Sequence, residues 1–83
     1  MKKQIEAHSN KLVDMIEDLE TKIYELDEKI EAINDRASNR SSGDLTEKEE
    51  ERIEMLEQQK SDLEDAKDYL EQAQDKLQDA MQD

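Results

Sequence analysis

The chain contains no cysteine, which rules out disulfides, thiolate nucleophiles and thiol redox chemistry without constraining the compartment. Proline is also missing and glycine occurs once, at Gly43, so very little in this sequence can interrupt a helix. There is no Phe or Trp and there are only two tyrosines, so a wide aromatic core cannot be assembled. Long apolar runs are missing as well. The start, MKKQIEAHSN, has two lysines but no continuous apolar stretch behind them. Neither a signal peptide nor a membrane span is expected, and the cytoplasm is the expected compartment.

What is present is charge: 45% of the 83 residues are Asp, Glu, Lys or Arg and 33% are hydrophobic. That length allows one domain at most, and such a composition stays disordered unless its apolar residues are patterned. They are patterned. Ile5, Leu12, Leu19, Leu26 and Ile33 recur every seventh residue, interleaved with Ser9, Ile16, Ile23, Ile30 and Ala37 at steps of three and four. This is the inward-facing seam of a coiled coil and predicts a helix over about 2–37. In the second half Leu56, Leu63, Leu70 and Leu77 form a matching ladder, with Ala66, Ala73 and Ala80 as its companion track. Upstream that alanine track weakens into Gln59, Arg52 and Glu49, flanked by Ile53 and Met55.

Between the ladders lies SNRSSGDLTEKE, Ser38 to Glu49, with glycine sixth, leucine eighth and glutamate twelfth, as in a helix–loop–helix calcium site. Calcium also needs oxygen ligands at the first, third and fifth places, which here hold Ser38, Arg40 and Ser42. A guanidinium cannot ligate a cation. Gly43 is better read as the turn residue that accepts a positive φ, and Thr46 with Glu49 as a T-x-x-E capping box. The loop is then 38–46 and the second helix about 47–82, with no metal and no cofactor expected.

Two arms of equal length joined by a short polar loop predict an all-α fold, an antiparallel two-helix coiled-coil hairpin forming one unit over 1–83. Apolar residues meet along its length if Ile30 pairs with Ile53, Leu26 with Leu56, Leu19 with Leu63, Leu12 with Leu70 and Ile5 with Leu77. Val13, Met15, Tyr24, Met55, Tyr69 and Met81 fall off this seam. A lone hairpin encloses little core, so a homodimer closing into a four-helix bundle is expected to cover them.

Catalysis is not expected. His8, the one histidine, sits beside the seam, no Glu-x-x-His pair occurs, and two helices supply no enclosed pocket. Acids outnumber bases 25 to 12, for a net charge of −13. Phosphate backbones and anionic lipids repel such a chain, so no direct nucleic acid and no membrane is expected, while a basic protein surface attracts it. The surplus is uneven: ten acids and six bases in Lys2–Ala37, fourteen and five in Glu47–Asp83. Outer positions in the last half of the second arm carry Asp62, Glu64, Asp65, Asp68, Glu71, Asp75 and Asp79, the candidate partner-binding face, against only Lys67 and Lys76. Solubility alone would also account for such a face.

A nucleic-acid mimic is the sharper reading, and charge density tests it. Duplex DNA has one charge per roughly 1.7 Å of axis. A net −13 along a hairpin of roughly 54 Å gives one per roughly 4 Å, and two hairpins side by side about twice that density. The segment SDLEDAKDYLEQAQDKLQDAMQD resembles the short acidic coiled-coil hairpin proteins of bacterial and phage genomes, most of them uncharacterised. Some small acidic phage proteins of other sequences inhibit host nucleases or CRISPR complexes, and that analogy raises the expectation of a phage-type inhibitor of a nucleic-acid-binding protein without assigning residues to it. The alternative is a coiled-coil adaptor or assembly subunit. It would act through its apolar seam (Ile5, Leu12, Ile16, Leu19, Ile23, Leu26, Ile30, Ile33, Leu56, Leu63, Leu70 and Leu77), its acids serving only solubility.

Overall fold

The computed structural model describes residues 2–82, so the end residues 1 and 83 of the expected single unit lie outside the described residues. Two helices, α1 (Lys2–Ser38) and α2 (Glu47–Met81), run antiparallel as a hairpin measuring 64 × 15 × 14 Å. Both end within a residue of the sequence reading. Ser38 joins α1 because the Asn39 N–H still donates to the Asp35 carbonyl at 3.1 Å, and the Ser38 hydroxyl donates to the Asn34 carbonyl at 3.0 Å. Gln82 caps α2 instead of extending it, its N–H donating to the Asp79 carbonyl at 3.2 Å.

The turn is held from both ends. Gly43 takes φ +70°, the left-handed region, and a Cβ there would meet nothing within 4 Å. The backbone angle alone therefore calls for glycine. Thr46 starts α2: its hydroxyl accepts from the Glu49 N–H at 3.2 Å, and the Glu49 carboxylate accepts from the Thr46 N–H at 2.9 Å. Arg40 adds a second lock. Its guanidinium grips both carboxylate oxygens of Glu49, one at 2.6 Å, and donates to the Asp44 carbonyl at 3.2 Å. Arg40, which in the sequence argued against a calcium loop, thus closes the turn.

All twelve predicted seam residues are buried or half-buried, so both ladders face inward. The core is densest at the turn end. Leu26, Ile33 and Leu56 form its centre, with Ile30, Leu45, Ile53 and Leu63 packed around them, and Ile33 is 2% exposed. Toward the open end Leu70 and Leu77 are only half-buried, while Ser9 is buried among their level of the rod.

Two parts of the sequence reading need correction. The companion track of the α2 leucines is Ile53, Lys60, Lys67, Gln74 and Met81, all half-buried, whereas Ala73 and Ala80 are exposed and Ala66 half-buried. A ladder of leucines seven apart has a neighbour three residues on and another four residues on, and either can turn inward. Taking the second option buries an isoleucine, a methionine and two lysine stems, more apolar carbon than three alanine methyls offer. The pairing register moves with it. Lys60 reaches Asp27 at 2.7 Å and Lys67 reaches Glu20 at 3.5 Å. That places α2 about one turn away from the pairing of Leu19 with Leu63 or Leu12 with Leu70. Met81, expected off the seam, belongs to it.

Two outcomes follow from this architecture. Ile33→Ala and Leu56→Ala should each cost about 2–5 kcal/mol in urea unfolding, and Leu77→Ala about 1 kcal/mol; equal losses at all three would contradict a core concentrated at the turn. The second concerns Glu49, whose carboxyl is held down to about 2 by the Arg40 guanidinium first and the Thr46 N–H second. Its contribution to stability is complete above the ordinary carboxylate value of about 4.3 and is lost as pH falls from there through about 2. An NMR titration should find that low midpoint, and Arg40→Ala should return it toward the ordinary range.

Candidate protein-binding faces

A two-helix rod has two broad sides, one on each flank of the seam. One side is seen in two shallow grooves, lined by Glu20, Ile23, Glu64, Lys67 and Asp68, and by Asp27, Ile30, Glu57, Lys60, Ser61 and Glu64. The other is seen in a groove floored by Leu26 and Leu63 and walled by Lys22, Glu25, Lys29, Gln59 and Asp62. Because the burial pattern repeats every seven residues along both helices, stepping by sevens from these residues assigns the rest of each side.

The charges are sorted between the two sides. Counted this way the first side holds eleven carboxylates: Glu6, Glu20 and Asp27 from α1, and Glu47, Glu50, Glu54, Glu57, Glu64, Asp68, Glu71 and Asp75 from α2. Glu17 and Glu31 stand on the adjoining row of α1, with Lys3. The bases facing these acids come up from the seam. Lys60 pairs with Asp27 and lies 3.8 Å from Glu64, and Lys67 bridges Glu20 and Glu71 at 3.5 and 3.7 Å. The Lys60 ammonium is raised above its ordinary pKa, mainly by the hydrogen bond to Asp27. These pairs are partly exposed, so water screens them and each adds little to stability. Tyr24 belongs to the same surroundings: its hydroxyl is pushed up by the Glu28 carboxylate first, with Glu31 adding to it.

On the second side the balance reverses. Lys11, Lys22, Lys29, Arg36, Lys48, Arg52 and Lys76 share it with only Asp18, Glu25 and Asp62 among the described residues. Met15, Met55 and Tyr69 stand here too, as do Ala66, Ala73 and Ala80. A protein of net charge −13 therefore carries a broad side that is net basic and partly apolar.

The seven acids singled out in the sequence are all exposed, but they do not share one surface. Glu64, Asp68, Glu71 and Asp75 stand on the acidic side. Asp65 and Asp79 lie along the outer edge of α2, and Asp62 stands on the opposite side beside Lys22 and Lys29. Reading α2 alone missed the α1 acids Glu6, Glu20 and Asp27, which share the surface. It also missed Glu47, Glu50, Glu54 and Glu57. The signal for them lay in the seven-residue spacing of Ile53, Lys60 and Lys67, which identifies the row next to the seam.

An ordered set of solvated carboxylates can accept paired hydrogen bonds from arginine, as phosphates do. Among the described residues no group of three or more His, Cys, Asp or Glu is arranged to hold a metal ion, and no helix is long and apolar enough to cross a membrane. Comparison with protein families, curated proteins and solved structures found no match to this chain.

Proposed function

We propose that the protein is a non-enzymatic acidic binding module, docking its carboxylate side on the basic surface of a nucleic-acid-binding protein where phosphates would otherwise sit. The sorting of charge carries this reading. Solubility needs acid but no particular arrangement of it, whereas one broad side here holds eleven carboxylates answered by two seam lysines. Its most concrete form is an inhibitor that keeps a nuclease or a CRISPR-type defence complex from its nucleic acid.

Density refines the comparison. Counting the adjoining row and the three lysines, the side carries about one net charge per 6 Å of the 64 Å rod, against one per 3.4 Å along a single DNA strand. The resemblance is to a sparse single strand more than to a duplex, so arginine-rich grooves that take single strands suit it best. An adaptor acting through the seam has less support, since the seam residues of the two helices already face each other.

Glu64, Asp68, Glu71 and Asp75 should be changed together to Lys, with circular dichroism confirming retained helix. Wild-type protein should capture basic proteins from a cell extract at low salt and release them near 1 M, where the Debye length falls to about 3 Å. The variant should capture none. Capture that survives both the substitutions and the salt would refute a docking role for this side.

A further inference from the structure

The acidic side leaves the other half of the hairpin without a role. Among the described residues, three of the four large apolar side chains left in solvent, Met15 (51% exposed), Met55 (51%) and Tyr69 (71%), stand on the net basic side. The rod exposes 6437 Å² for a mass of 9.7 kDa, where a compact monomer of that mass exposes about 5,100 Å². The excess, about 1,300 Å², exceeds the roughly 800 Å² that a standard interface takes from each partner. We propose that a second copy of the chain covers this side, antiparallel, about a two-fold axis passing near Tyr69 and Leu19, closing a four-helix bundle.

Charge complementarity selects this occupant. In a two-fold contact, residues placed evenly either side of the axis meet each other's counterparts. On α2, Asp62 and Lys76 stand seven residues either side of Tyr69, so each Asp62 meets the second copy's Lys76. On α1, an axis near Leu19 brings Lys11 to the second copy's Glu25, while Asp18 stays paired with Lys22 of its own chain at 3.1 Å. The two centres lie at one level of the rod, because Lys67 of α2 is paired with Glu20 of α1 at 3.5 Å. One axis therefore serves both helices, and Glu25 and Asp62 each gain a base across it. Ala66 and Ala73 also exchange across it, and their small side chains let the second copy's α2 approach closely. Both acidic sides then face outward, separated by two helix layers of about 10 Å each, beyond the Debye length of about 8 Å at physiological salt.

The chain alone suffices for the test, so its result is separate from that of partner capture. Sedimentation equilibrium at about 100 μM should give twice the 9.7 kDa chain mass. Ala73→Glu, at an exposed position, should return the mass to one chain with helicity retained. Under air oxidation Tyr69→Cys should form a linked dimer, while Tyr24→Cys on the acidic side should not. Asp62→Lys should weaken the dimer about tenfold, and adding Lys76→Asp should restore it. A wild-type chain that sediments as a monomer would overturn the proposal. So would an Ala73→Glu dimer, or Tyr24→Cys linking as readily as Tyr69→Cys.

Discussion

The structure depends on which residues stand beside the leucine ladder of α2. Leu56, Leu63, Leu70 and Leu77 face α1 in either case, but the companion row can be the one led by Gln59 and Ala66 or the one led by Ile53 and Lys60. Turning the second row inward rotates every other position on α2. It puts Glu57, Glu64 and Glu71 on the same flank as Glu20 and Asp27, and it leaves Ala66, Ala73, Met55 and Tyr69 on the opposite flank. The two-sided charge pattern is a consequence of that rotation. Lysine is suited to the row: its methylene stem covers apolar seam while its ammonium emerges among the carboxylates.

The turn works with this choice. Thr46 and Glu49 define where α2 begins, and Arg40 ties that start to the end of α1 through Glu49 and the Asp44 carbonyl. Leu45, just ahead of the cap, packs on the cluster of Leu26, Ile33 and Leu56. With both ends of the loop fixed, α2 can meet α1 only within a narrow range of registers. A polar loop held by one bidentate ion pair therefore has an effect along the whole rod. The cluster of Leu26, Ile33 and Leu56 lies next to that anchor, while Leu70 and Leu77 at the open end are only half-buried.

The proposed function rests on the separation of the two sides. An acidic surface meant to hold a basic protein has to stay open, and the net basic, partly apolar side has to be covered or neutral in effect. The proposed two-fold pairing of the second side would meet both needs, since it would leave two acidic surfaces pointing away from each other. Much of the candidate site could be read early: Glu64, Asp68, Glu71 and Asp75 were all identifiable as exposed acids of α2. Asp62 could not be separated from them, because its difference lies only in which flank of the seam it occupies. The α1 contribution was also hidden, since Glu20 and Asp27 enter the surface only through their partners Lys67 and Lys60 on the other helix.

By itself the sequence determined two helices, their lengths, the turn between them, the capping box and the inward-facing leucine and isoleucine ladders. These rest on local spacing and backbone chemistry, which need no knowledge of a distant residue. The tertiary structure decided the companion row, the register one turn from the apparent one, and the division of charge into two unlike sides. Those depend on comparing the burial of Ile53, Met81 and two lysine stems with that of three alanines against the same opposing helix. That comparison belongs to the pair of helices and to neither alone.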